Sequence, residues 1–167
     1  MKKILLILFI CGCENTISEI VTEPNGVDYG VVINEINYNS STTLDAGDWI
    51  ELYNNTDENI EISLWEFRDE DNLFIVPENT VLYPENFLVL CQSIEAFSEV
   101  FPDIENVLGG FEFGLNGGGE SISLTHANGM VVDEVEYDDI SPWPSAADGE
   151  GRTLELIDPQ LDNSLGS

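Results

Sequence analysis

Carboxylates are the most abundant reactive groups in this chain, and several stand at spacings that chemistry can use. Asp48 and Glu51 flank Trp49. Two carboxylates beside an aromatic ring suit glycoside hydrolysis, in which one protonates the leaving oxygen and the other attacks or activates water. Asp69-Glu70-Asp71-Asn72, Asp45 with Asp48, and the stretch from Asp133 to Asp139 each gather oxygen donors, as a calcium ion with its roughly six to eight oxygen ligands requires. None of these follows the Asp-x-Asp-x-Asp-Gly loop with its distal Glu. No acid pair comes with a supporting His, Arg or Lys. In a chain with 33 acids, such groupings arise without purpose, and Glu51 reads as a solvated outward residue of a strand.

The other reactive side chains are few. His126 is the single histidine. It lies beside a turn, where exposure is the default, so a Ser or Cys nucleophile has no other imidazole as base. No nucleophile elbow is present. Cys91 ends the apolar run from Phe87 and reads as a small buried hydrophobe. Zinc needs about four Cys or His ligands, and Cys11, Cys13, Cys91 and His126 do not supply them at workable spacing. Gly117-Gly118-Gly119 precedes a strand-like run and not a helix, so it is a turn and not a phosphate cradle. Trp143 between Pro142 and Pro144 could stack on a sugar, but reads as a structural plug. The expectation is no catalytic residue, no metal ligand and no cofactor, with calcium the one ion left open.

Charge narrows the partners. The 167-residue chain has 33 acidic and 4 basic residues, a formal net charge of -29. Lys2 and Lys3 are at the extreme N-terminus, so only Arg68 and Arg152 remain to face the acids if that end is removed. Such a surface repels nucleic-acid phosphates and anionic bilayers. It fits solubility in salty water, where screening limits self-repulsion, or attraction of cationic partners.

The N-terminus reads as an address. Two lysines precede an unbroken apolar run from Ile4 to Cys11, the layout of a secretory signal and too short for the roughly 20 residues of a membrane-spanning helix. Ile10-Cys11-Gly12-Cys13 resembles a bacterial lipobox, with Cys11 where Ala or Ser is commoner. That resemblance makes 1–12 a signal peptide and Cys13 the lipidated mature N-terminus. Acyl chains contribute about 0.8 kcal/mol per buried CH₂, so several of them anchor a protein to a membrane. An ordinary cleaved signal and free secretion is the alternative. Residues 13–29 have no clear period and read as a lipidated end and tether, able to span up to roughly 50 Å when extended.

The elements that must position these groups read as strands. Apolar bursts at Val31–Ile36, Trp49–Tyr53, Ile60–Phe67, Leu73–Val76, Phe87–Cys91, Ser121–Thr125, Met130–Tyr137 and Thr153–Ile157 alternate with Asn-, Asp- and Gly-rich turns,. Asn128-Gly129 is the sharpest hairpin signal. Ile50 and Leu52 share one face of their strand, and Trp49, Glu51 and Tyr53 the other. Ile122 and Leu124 point inward between outward hydroxyls. Ser93–Phe101 predicts the one short helix, with Ile94, Phe97 and Phe101 on a common side and Pro102 as its stop. Eight strands and a helical turn predict an all-β sandwich.

Seven strings in order carry a resemblance: Val32–Ile36, Asp48–Asn54, Ile62–Trp65, Val81–Leu90, Leu115–Leu124, Gly129–Asp133, and Trp143–Leu156. Together they resemble the lamin tail domain as it occurs in exported bacterial proteins. The resemblance implies an immunoglobulin-like β-sandwich over 30–165, with Trp49 and Trp65 near the core or its edge. Nuclear members of the family bind DNA, a property that basic surface confers and that this chain lacks. The family pattern runs on after Asp162-Asn163, whereas this sequence ends at Ser167, so an absent last strand or a truncated reading frame is expected. These readings predict a surface-anchored, non-enzymatic lipoprotein of the bacterial cell envelope. It would carry a binding or structural module for adhesion or assembly, joined to the membrane through Cys13, with a protein or polysaccharide partner and no nucleic acid. A calcium-dependent adhesin, or a weak acid-pair hydrolase or accessory domain of a secreted hydrolase system, are the alternatives.

Overall fold

A computed structural model of the chain describes residues 28–161 and 163–164; Cys13, the segment read as a signal and most of that read as a tether lie outside the described residues. The strands are β1 (Val31–Asn37), β2 (Trp49–Asn54), β3 (Ile60–Glu61), β4 (Glu66–Arg68), β5 (Leu73–Ile75), β6 (Val81–Leu82), β7 (Phe87–Cys91), β8 (Val107–Gly109), β9 (Glu120–Thr125), β10 (Val131–Tyr137) and β11 (Leu154–Glu155). The one α-helix among the described residues, α1 (Ile94–Val100), lies between β7 and β8. One sheet has the order β11-β1-β2-β7-β8, a second has β10-β9-β4-β5, and β3 pairs with β6. This is an all-β, immunoglobulin-like sandwich.

Alternation builds the core as expected. Ile33, Ile36, Ile50, Leu52, Leu90 and Leu154 face inward from the first sheet, and Phe67, Ile122, Leu124, Val135 and Tyr137 meet them from the second, all buried. Trp65 joins this core, 1% exposed. The Asn128-Gly129 turn forms, with Gly129 N–H donating to His126 O at 2.7 Å and His126 N–H to Met130 O at 2.8 Å. Gly129 takes a φ of 85°, a region that glycine enters at no steric cost.

Three expectations about elements need correction. The run Ile60–Phe67 is not one strand: it is broken into β3 and β4 by a turn in which Leu64 adopts φ 61° and Trp65 N–H donates to Ile62 O at 3.2 Å. That turn swings Trp65 into the core. The C-terminal strand contracts from Thr153–Ile157 to Leu154–Glu155. The strands β6 and β8 were absent from the sequence reading. The strand β8 pairs parallel to β7, a geometry that needs a crossover of about a dozen residues or more, usually helical; α1 is that crossover.

The helix α1 begins where expected. Ser93 caps it, its hydroxyl accepting Ala96 N–H at 3.2 Å. Its packing differs from the predicted stripe: only Phe97 is buried, while Ile94 and Phe101 are 48% and 37% exposed. The helix covers the outer face of the first sheet, where Trp49, Val89, Cys91, Phe97 and Ala46 form a second apolar cluster. Cys91 is fully buried and free, as its sequence position predicts. A Cβ at Gly109 would stand 2.3 Å from Ile94 Cγ1, so glycine there lets the helix lie close to the sheet.

Candidate binding face

The helix covers only the β2-β7-β8 side of that outer face. On the remaining side, the register aligns Glu35 with Glu51 on β2 and with Glu155 on β11. A β-bulge between Ile33 and Glu35 brings this about: the extra residue shifts the alternation so that Glu35 points out while Ile33 and Ile36 both point in. The result is a row of three carboxylates across three adjacent strands. It continues into Val89 and Val107 where the helix takes over. The neighbouring row holds Tyr53 and Phe87, rings 4.6 Å apart, with Phe87 exposed.

Like charges directly opposite one another on neighbouring strands destabilise a sheet. Burial pushes the Glu35 carboxyl above its ordinary value; the Thr153 hydroxyl that donates to it opposes this, and Glu155 adds to it. Burial also pushes Glu51 up, against the Asn34 amide that donates to it at 2.9 Å, with Glu35 and Glu155 adding repulsion. Glu51 thus faces outward as predicted but is half-buried rather than fully solvated. Among the described residues the single salt bridge is Arg68 to Glu66, on the other sheet, so no ion pair within the described chain neutralises the row.

The acid pair of the alternative hydrolase reading, Asp48 and Glu51, does not assemble. By strand alternation, Asp48 and Glu51 fall on opposite faces of β2. The Asp48 carboxylate instead reaches the loop before β9, accepting Leu115 N–H at 2.8 Å. Burial pushes it up to about 6, with Leu115 N–H opposing and Asp45 and Glu120 adding to the rise. Glu120 accepts the Tyr137 hydroxyl at 2.9 Å and Asn116 N–H at 2.7 Å.

The acidic groupings considered for calcium have structural partners. Asp69 Oδ1 accepts Asp71 N–H at 2.8 Å and Asn72 N–H at 2.5 Å, closing the β4–β5 turn. Asp45 accepts Gly47 N–H at 3.1 Å. Asp133 Oδ2 accepts Ile33 N–H at 2.6 Å and the Asn163 amide at 2.9 Å, clasping the two sheets together. Among the described residues, no group of three or more His, Cys, Asp or Glu is arranged to hold a metal ion.

His126 is not simply exposed. It stacks on Tyr29 at 4.7 Å and leans on Trp65 at 5.2 Å, while its Nδ1 accepts Asn128 N–H at 3.0 Å. Gly117-Gly118-Gly119 forms a turn, Gly119 N–H donating to Asn116 O at 3.0 Å. Trp143 is half-buried against the core, as a plug would be. Cys13 lies outside the described residues.

Sequence reading overlooked Asn54. It is fully buried; its amide donates to the carbonyls of Glu58 at 2.8 Å and of Leu82 and Tyr83 at 3.0 Å, and its Oδ1 accepts from the Thr56 backbone and hydroxyl. In sequence it was one residue of a polar turn. The signal that could have found it is its position at the inward parity of β2, two residues after Leu52.

A model of the Lamin Tail Domain family matches residues 16–139. That match starts inside the segment read as a tether and stops before Trp143–Leu156, so it is displaced towards the N-terminus relative to the 30–165 of the sequence reading. A search of curated proteins gives no match to the chain. With most of its length matched and the immunoglobulin-like sandwich in place, the chain belongs to the lamin tail domain family.

Proposed function

We propose that this chain is a lipid-anchored, non-enzymatic binding module of a bacterial cell envelope, displayed on the outer surface and serving adhesion or assembly. Membership of the family makes it a structural or binding immunoglobulin-like domain; the anchoring, the location and the partner are the reading offered here. The observation that carries it is the carboxylate row on the outer face of the first sheet, Glu155 exposed and Glu35 and Glu51 half-buried, with no neutralising ion pair among the described residues. Groups held close at a cost in repulsion are ready to gain when a cationic protein surface meets them. The Ile10-Cys11-Gly12-Cys13 string supports attachment through Cys13, and removal of Lys2 and Lys3 with the signal leaves the mature chain still more acidic. The partner that fits is a basic protein surface; nucleic acid and anionic lipid headgroups are repelled.

Expression of the full chain with its own N-terminus in a bacterium, followed by mass spectrometry of the mature N-terminal peptide, tests the anchor. The reading expects diacylglycerol and an N-acyl chain on Cys13, sensitivity of intact cells to added protease, and release into the medium or retention of the signal in Cys13→Ala. A mature chain cleaved elsewhere and free in solution would overturn it. Hydrolysis of polysaccharide or ester substrates by the purified chain, abolished by Asp48→Asn or Glu51→Gln, would overturn the non-enzymatic reading.

A further inference from the structure

The carboxylate row ends at β11, and β11 is an edge of its sheet. Its two residues point in opposite directions: Leu154 pairs with Ile36 on the core side, and Glu155 pairs with Glu35 on the outer side. Beside Leu154 the sandwich is incompletely closed. A groove of about 140 Å³ opens there, lined by Ile33, Ile36, Val135, Trp143, Leu154 and Leu156. An apolar cavity of about 150 Å³ is enough to take up a benzene-sized group. Ile157, 91% exposed, and Leu161, 58% exposed, also line it, large aliphatic side chains left largely in water beside a strand edge that no other described residue pairs.

These features share one geometry. A strand laid along the free edge of β11 would alternate its side chains as every strand does. The residue opposite Leu154 would enter the groove. The residue opposite Glu155 would fall in line with Glu155, Glu35 and Glu51, where a cation is favourable and another acid is not. We infer that the free edge of β11 is a docking site for an extended segment of a partner protein in which apolar residues alternate with Lys or Arg. The segment adds a sixth strand to the first sheet, with its apolar side chains in the Leu154–Trp143 groove and its basic side chains on the carboxylate row. The inference rests on the reading of the chain as a binding module and specifies the partner. Edge addition derives affinity from backbone pairing and specificity from alternate side chains. A second copy of this chain is disfavoured as occupant, because its 33 acids against 4 bases repel the same row.

The test uses the full lipidated chain in neutral-lipid nanodiscs and three synthetic nine-residue probes: alternating valine and lysine, the same composition with the valines grouped, and alternating valine and glutamate. Binding is read by titration of Trp fluorescence and by amide NMR shifts. The alternating valine–lysine peptide is expected to bind at least tenfold more tightly than the grouped one and to shift the amides of Leu154 to Leu156 most. Affinity is expected to fall at least tenfold in Glu155→Lys. It is expected to fall severalfold in Ile157→Ser, a position so exposed that the fold is unaffected. Equal affinity for the alternating and grouped peptides, binding of the valine–glutamate peptide, or a chain dimer that occupies the edge would each overturn the assignment. Intact mass of the same preparation reports the lipid separately. A lipidated chain that ignores the alternating peptide overturns the edge site and leaves the anchored reading standing. An unlipidated chain that binds it keeps the edge site and overturns the anchor.

Discussion

Replacing Asp48 by Asn should stabilise this protein at neutral pH and leave it unchanged in acid. The Asp48 carboxyl is raised from 3.8 to about 6, chiefly by burial. A carboxyl raised on folding holds its proton more tightly in the native state, so its contribution to stability is complete below pH 3.8 and is lost as pH rises through about 6,. At 1.36 kcal/mol per pH unit the interval is worth about 3 kcal/mol, and solvent access to a partly exposed group reduces that to about 1–2 kcal/mol. An Asn in its place keeps an oxygen to accept Leu115 N–H and loses the repulsion from Asp45 and Glu120. Thermal unfolding of both proteins, followed by circular dichroism from pH 4 to pH 7.5, separates this from the general effect of net charge, which the two share almost equally. The variant should melt about 3–8 °C higher at pH 7 and within a degree or so of the parent at pH 4. A variant less stable than the parent at pH 7, or one shifted equally at both pH values, would refute the reasoning, because the carboxylate would then be stabilising or its burial irrelevant.

Other outcomes follow from single residues. Asn54→Ala strands three carbonyls and two Thr56 donors in a buried site, so urea unfolding should show a loss of about 3 kcal/mol or more; a loss under 1 kcal/mol would mean that water replaces the amide freely. Glu85→Gly should gain about 1 kcal/mol, since Glu85 is exposed and held at φ 53°, where a Cβ costs about 1–2 kcal/mol; a lower melting temperature would contradict it. Millimolar calcium should raise the melting temperature no more than magnesium at equal ionic strength, because Asp69, Asp45 and Asp133 already accept backbone or amide donors; a calcium-specific rise would reinstate a metal site.

Strands whose apolar residues alternate without interruption were legible in the sequence. Phe87–Cys91 was read to the residue, and β1, β2, β9 and β10 to within a residue or so. Legibility failed where tertiary contacts set the outcome. The strand β8 has only Val107 and Leu108 to announce it, and it becomes a strand because α1 delivers it beside β7. The apolar density of Ile60–Phe67 concealed a turn that exists to aim Trp65 at the core. The candidate binding face was the least legible part. Glu35, Glu51 and Glu155 are far apart in the chain, and only the register of three strands and one bulge puts them in a line. Sequence parity correctly sent Glu51 outward but could not show the neighbours that half-bury it.

The proposed binding face depends on those carboxylates standing side by side with no ion pair among the described residues to neutralise them. Carbon-13 NMR titration of the Glu35 and Glu51 side chains in the intact chain tests this most directly. Burial and mutual repulsion place both midpoints above the ordinary 4.5, and Glu155→Gln should lower both. Midpoints at or below 4.5, unmoved by that substitution, would show that the row does not exist as described.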